Sequence, residues 1–153
     1  MASYRHLART CVMQTIFELE FRSGINIDLS QLSQDPIEIL DCLMNEFAPK
    51  LSEKDFAYKT LEGIVDHQKD ILEIISKFAP EWPLDKIAHI DRAILEIGAY
   101  EIVFSDDVPP VVAINEAVEI AKHFGDTNSP KFINGVLSNV MKEYHGQDKR
   151  SKD

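Results

Sequence analysis

The chain has 153 residues, enough for one domain with a substantial hydrophobic core. Its 44% apolar and 27% charged residues are ordinary for a soluble globular protein, and no apolar run approaches a membrane-spanning length. The formal net charge of −10, taken alone, argues against nucleic acid as a partner. The N-terminus lacks the long apolar segment and cleavage site of a secretory signal, so a cytoplasmic protein is expected.

Helical periodicity recurs along the chain, with no internal repeat, low-complexity segment or strand-type alternation. The first helix is expected from about Ala2 or Ser3 to Arg22, with Ser23-Gly24 ending it. On a helical wheel Tyr4, Leu7, Ala8, Cys11, Val12, Thr15 and Leu19 form a core stripe. Met13, Phe17 and Phe21 lie outside it, on a second apolar strip with His6 and Thr10. A helix apolar on two sides must bury both, under other helices of the domain or under a partner. Arg5 and Arg9 are one turn apart beside the stripe, near a helix N-terminus that favours anions.

Residues 25–35 read as a polar loop, and Pro36 opens a helix through about Phe47. Ser52 is expected to cap a long helix, with Asp55 in a weak capping box. Leu61, Ile64, Val65, Leu72, Ile75 and Ala79 keep a helical period along it, with room for a bend near Gln68–Asp70. Pro80 and Pro83 then break the chain, and a short helical turn follows at 84–88. Asp91 starts the next helix, which runs to about Phe104 and ends at "SDDVPP". Pro110 opens a helix to Phe124, where Gly125 stops it. Ser129 as N-cap and Pro130 as first helical residue open the last helix. The expected architecture is all-α, with six or seven helices in one domain over 1–145. "WPLDKIA" divides it into two small helical subdomains, about 1–80 and 81–145, and 146–153 form a disordered tail.

No catalytic constellation is visible. The five histidines are scattered, and none follows a glutamate by three residues. Glu116, Glu119 and His123 share a helix face that resembles half a metal site, but no second half is visible and a solvated face explains them better. GxxxxGK[ST], GxGxxG and GxSxG motifs are absent. Cys11 and Cys42 lack ligand spacing and are expected as reduced, buried thiols. The expectation is therefore no enzyme activity, no metal and no cofactor.

The charge is unevenly placed. Residues 16–128 carry 23 acids against 9 lysines and arginines, whereas 1–15 hold Arg5, His6 and Arg9 with no acid, and 129–142 hold Lys131 and Lys142 with none. Both ends are free to face an anion. Phe132 stands off the apolar stripe of the last helix, beside Lys131, Gly135 and Asn139. Two readings fit it. It stacks on a base of single-stranded RNA while Lys131 and the helix N-terminus meet phosphates, or it packs under the preceding loop.

Three segments carry a family resemblance. "VAINEAVEIAKHFGDTNSPKFINGVLSNV" at 112–140 resembles the signature of the NusB family of bacterial transcription antitermination factors. "DRAILEIGAYEI" at 91–102 resembles that family's central helix, and "RHLARTCVMQTIFELEF" at 5–21 its N-terminal helix. The resemblance covers essentially the whole chain. It implies two helical subdomains and no enzyme activity. It also implies pairing with NusE, a small-subunit ribosomal protein, to bind boxA RNA in ribosomal RNA leaders. NusA, NusG and RNA polymerase would join the larger complex. By position, Arg5, His6, Arg9, Lys131 and Phe132 would face RNA, and Phe17, Phe21 and Asp91 would face NusE.

The chain departs from the family in a thin N-terminal arginine cluster, and Glu96 stands where many members carry a basic residue. Weaker, less salt-sensitive RNA binding is the expectation. Other readings remain open: a helical interaction module without RNA contact, a stand-alone RNA-binding domain like that of ribosomal RNA cytosine methyltransferases, and a homodimer formed through the apolar strip.

Overall fold

The central helix organises everything around it. In the computed structural model, which describes residues 4–24 and 34–151, every residue from Asp91 to Ile102 is buried. Seven α-helices and one short 3-10 turn make up the described residues: α1 Tyr4–Ser23, α2 Pro36–Phe47, α3 Lys54–Asp66, α4 Gln68–Phe78, the turn Leu84–Lys86, α5 His89–Val103, α6 Pro110–Phe124 and α7 Ser129–Ser151. No strand occurs among them. Helix α5 packs against α1, α3, α4, α6 and α7. One continuous apolar cluster runs through Met13, Leu40, Leu61, Ile75, Leu95 and Leu137. Helices from both sides of the Pro80–Pro83 linker therefore meet on α5. Gly98 allows one close approach, since a Cβ there would lie 2.5 Å from a methyl of Leu137 on α7.

Local rules account for most boundaries. Asp35 caps α2 by accepting from the Ile37 N–H at 2.9 Å, with Pro36 in the first turn. Gly24 follows α1 with φ +84°, the left-handed value that favours glycine. Pro110 opens α6, and Gly125 stands just past its end. Helix α3 starts at Lys54, not at Ser52, and Glu53 in the cap position makes no side-chain cap bond. The long helix expected from Ser52 is two helices joined at His67, whose ring stacks on Phe104 at 4.1 Å. The tail expected from residue 146 begins inside α7. The loop expected at 25–35 falls mostly outside the described residues.

The two strips of α1 sort differently from expectation. Ala8, Cys11, Val12, Thr15 and Leu19 are buried, but Tyr4 and Leu7 are exposed. Met13 is fully buried, so the domain itself covers that part of the second strip, while Phe21 remains 70% exposed. Cys42 is also exposed, because it lies on the wet side of α2; only Cys11 is buried.

Helix α5 carries charge into the core. The Arg9 guanidinium donates to both carboxylate oxygens of Glu101, with Nε–Oε1 and Nη2–Oε2 each 2.9 Å. Arg92 Nε donates to Glu20 at 3.0 Å, and its Nη1 to the Leu84 carbonyl at 2.9 Å. All four side chains are almost completely buried. These pairs cross-link α1 to α5 at two points ten or so residues apart and set the antiparallel register of the two helices. A buried pair contributes little net stability, but losing one partner is costly because the other charge stays buried.

Candidate nucleic-acid interface

The start of α7 is held by a reciprocal pair of bonds. The Asp126 carboxylate accepts from the N–H groups of Asn128 and Ser129 at 2.8 and 3.1 Å, and the Ser129 hydroxyl accepts from the Asp126 N–H at 3.0 Å. These bonds close the turn that leads into α7, and Asn128 holds the cap position, its carbonyl accepting from the Phe132 N–H at 3.1 Å. Ser129 itself is buried. The first turn then presents Lys131, which is exposed, and Phe132, which is half-buried against the core. The Phe132 ring meets Trp82 at 6.3 Å with the ring planes 71° apart. Trp82 is 51% exposed. Phe132, Trp82 and Asn128 line two neighbouring concavities of about 280 and 500 Å³. Phe132 thus packs on the core and still borders open space.

Asp91 belongs to this end of the molecule. It lines the smaller concavity with Trp82, Lys86, Ser129 and Phe132. Its Oδ1 has no hydrogen-bond partner, although the residue is only 8% exposed. Burial raises its carboxyl pKa, and the Ser129 hydroxyl beside it opposes that rise. The structure does not group Asp91 with Phe17 and Phe21. Those two rings stack at 6.0 Å, and each meets His89 edge-on at 6.1 Å. His89 and Asp91 are two residues apart, about 200° around a helix, so they face opposite sides.

The N-terminal cations sit elsewhere. Arg9 is 2% exposed and tied to Glu101, so it is a core residue and not a surface contact. Burial raises the Glu101 carboxyl, while Arg9 pulls it down. Arg5 lies over the Phe56 ring at 4.5 Å, with its Nε 3.6 Å from Glu53. His6 Nδ1 is 2.6 Å from Glu116. Each expected cation of α1 therefore faces a carboxylate from the cap of α3, from α5 or from α6. Glu116 serves His6, and Glu119 pairs with Lys122 at 3.1 Å. Along α5, Asp91 and Glu101 are about 15 Å apart. The five residues expected to face RNA thus fall in two places, Arg5 and His6 at one end and Lys131 and Phe132 at the other, with Arg9 inside.

Glu96 is fully buried between these ends and touches no solvent, so its acidic identity does not subtract from a phosphate-facing surface. Desolvation and the adjoining Glu20 carboxylate hold its pKa well above the ordinary 4.5, and the Gln68 amide and Arg92 oppose this.

Sequence reasoning missed Trp82, the single tryptophan, because it lies in the proline-punctuated linker and on no helix stripe. It also missed the acids that answer the α1 cations, since none is a sequence neighbour of the residue it pairs with.

The NusB family's sequence model matches residues 6–142. The chain belongs to the NusB family. The transcription antitermination protein NusB of Desulfitobacterium hafniense is 36% identical over 149 residues, covering 97% of this chain and 95% of that protein. That of Bacillus pumilus is 40% identical over 144 residues, covering 94% and 98%. Among solved structures, T. maritima NusB superposes with a TM-score of 0.79 at 32% identity, covering 99% of both chains. NusB in a crystal structure of antitermination factors NusB and NusE in complex with dsRNA gives 0.78 at 26% identity, covering 94% of this chain and 100% of that one. The chain is therefore a NusB-type antitermination factor, in a family of non-enzymatic regulators.

Proposed function

We propose that this protein is an RNA-binding adaptor that works with NusE in the cytoplasm. In this reading the pair holds boxA-type single-stranded RNA of ribosomal RNA leaders and assembles with NusA, NusG and RNA polymerase. The observation that carries the reading is the start of α7. There a half-buried aromatic ring, an exposed lysine and a helix N-terminus adjoin an exposed tryptophan above two open concavities. Aromatic rings with flanking cations are the ordinary means of holding single-stranded RNA. A relative of the same fold crystallised with NusE and dsRNA supports it. Arg5 and His6 would add peripheral phosphate contacts, weakened by Glu53 and Glu116. The protein alone should bind weakly, and NusE should strengthen it.

The exposed Phe21, stacked on Phe17 and edge-on to His89, supports NusE docking at that end of α1. The same surface is what a module using protein contacts alone, or a homodimer, would bury. Sedimentation separates monomer from dimer.

The deciding experiment is fluorescence anisotropy with a labelled boxA-like RNA, with and without NusE. Stacking losses run to about 1–3 kcal/mol per base, so Phe132→Ala should weaken binding roughly five- to a hundred-fold. Equal binding by a folded mutant makes Phe132 structural. No binding even with NusE favours the protein-interaction reading.

A further inference from the structure

A separate concavity of about 370 Å³ lies between α4, the end of α5 and α7. Ile74, Val103, Phe104 and Tyr144 give it an apolar lining, and Asp70, Glu73 and Lys77 bring charge to it. Tyr144 is 43% exposed, whereas His67 stacks on Phe104, so Tyr144 is the more open ring. Asp70 and Glu73 stand one turn apart on α4 and so share a face. Both are exposed, and neither forms an ion pair among the described residues. Lys77 does not answer them, because its Nζ is held 3.1 Å from Glu143. Helix α5 ends here with no basic residue in its last turn, and a helix C-terminus carries partial negative charge. The groove is therefore apolar, aromatic and anionic, and it repels phosphates.

The same protein shows what such a combination holds. The Arg5 and Arg9 guanidiniums lie 4.5 and 5.0 Å from the Phe56 ring centroid, with Glu53 and Glu101 as their carboxylates. A guanidinium is planar, stacks on aromatic faces and pairs with carboxylates through a rigid fork; an ammonium is a compact, strongly hydrated point charge. We propose that the groove between Asp70, Glu73 and Tyr144 docks an arginine-bearing segment of a partner protein. The guanidinium lies on the Tyr144 ring against the α4 carboxylates, and an apolar neighbour in the segment covers Ile74 and Val103. Position separates this surface from the two described above. Lys131 and Tyr144 are about 20 Å apart along α7, and His89 and Phe104 about 22 Å apart along α5. The inference does not rest on the RNA-binding reading and adds a third surface to it.

The test is fluorescence anisotropy with a labelled peptide in which two arginines flank a leucine, beside the same peptide with lysines. Wild type should bind the arginine peptide roughly five-fold more tightly than the lysine one. Glu73→Gln and Tyr144→Ala should each weaken the arginine peptide roughly three- to ten-fold. Glu46→Gln, which removes the same charge from the exposed side of α2, should change nothing. NusE with a boxA-like RNA should leave the peptide bound. The arginine–lysine comparison is made on wild type, so it does not depend on how any variant folds. No binding, equal binding of the two peptides, or an equal loss in Glu46→Gln overturns the proposal and leaves the RNA-binding reading standing. Displacement by NusE and RNA puts the peptide on a surface already described and also overturns it. So does a dimer in sedimentation that Tyr144→Ala dissociates, which gives the groove to a second copy.

Discussion

The two ends of α5 treat charge in opposite ways. At the Glu101 end, each of Arg5, His6 and Arg9 faces an acid, and Arg9 is sealed in the core. At the Asp91 end, Lys131 is exposed and forms no ion pair among the described residues. Both ends come from acid-free stretches of sequence and look equally ready for an anion. The fold brings Glu53, Glu101 and Glu116 to the first and leaves the second open. Local charge on a chain is not available charge on a surface, because carboxylates distant in sequence neutralise it at a few ångströms.

The sharpest way to break this contrast is at Arg9. Arg9→Ala leaves Glu101 buried and unpaired and should cost about 3–5 kcal/mol, read by urea unfolding. Replacing both partners with apolar residues, Arg9→Met with Glu101→Leu, should recover most of it. A folded Arg9→Ala protein with unchanged stability and weakened RNA binding would return Arg9 to the surface set.

Glu96 tests the stretch between the ends. Its raised pKa means the folded protein holds a proton that the unfolded chain releases above the ordinary value near 4.5. Stability should therefore fall as pH rises from that value toward the folded pKa. Glu96→Gln, which never ionises, should flatten that fall and exceed wild type progressively toward alkaline pH. Parallel stability curves for the two proteins would contradict a buried, protonated Glu96.

The smallest effect belongs to Arg5, exposed and already shared with Glu53. Arg5→Ala should lower RNA affinity less than Phe132→Ala does, and should reduce the salt dependence of binding by about 0.7 in log–log slope if one phosphate contact is lost. No change in slope would remove the Glu101 end from the RNA surface altogether.

Most of the helices were legible because capping and breaking act over three or four residues. Pro36, Pro110 and Gly125 mark boundaries where local chemistry put them. Ser52 and Ser129 show the limit. Both are good cap residues, but Ser52 makes way for Glu53, and Ser129 becomes the first residue of α7, bonded back to Asp126 in the preceding turn. Phe132 and Lys131 were legible as an oddity on a stripe. Trp82 was not, since nothing local joins a linker residue to a helix 50 positions later. Arg9 was misplaced because its surroundings on α1 are ambiguous until α5 covers it.

By itself, the sequence determined an all-helical chain, the order of its helices and, through the 112–140 segment, its family. Those rest on periodicity, short-range capping and a long specific motif, all readable along one dimension. The tertiary structure alone decided which charges are spent inside the protein and which remain for a ligand. It put Glu101 on Arg9 and brought Trp82 from the linker to Phe132. Ion pairing and burial depend on distances across helices, and helical packing on α5 sets those distances.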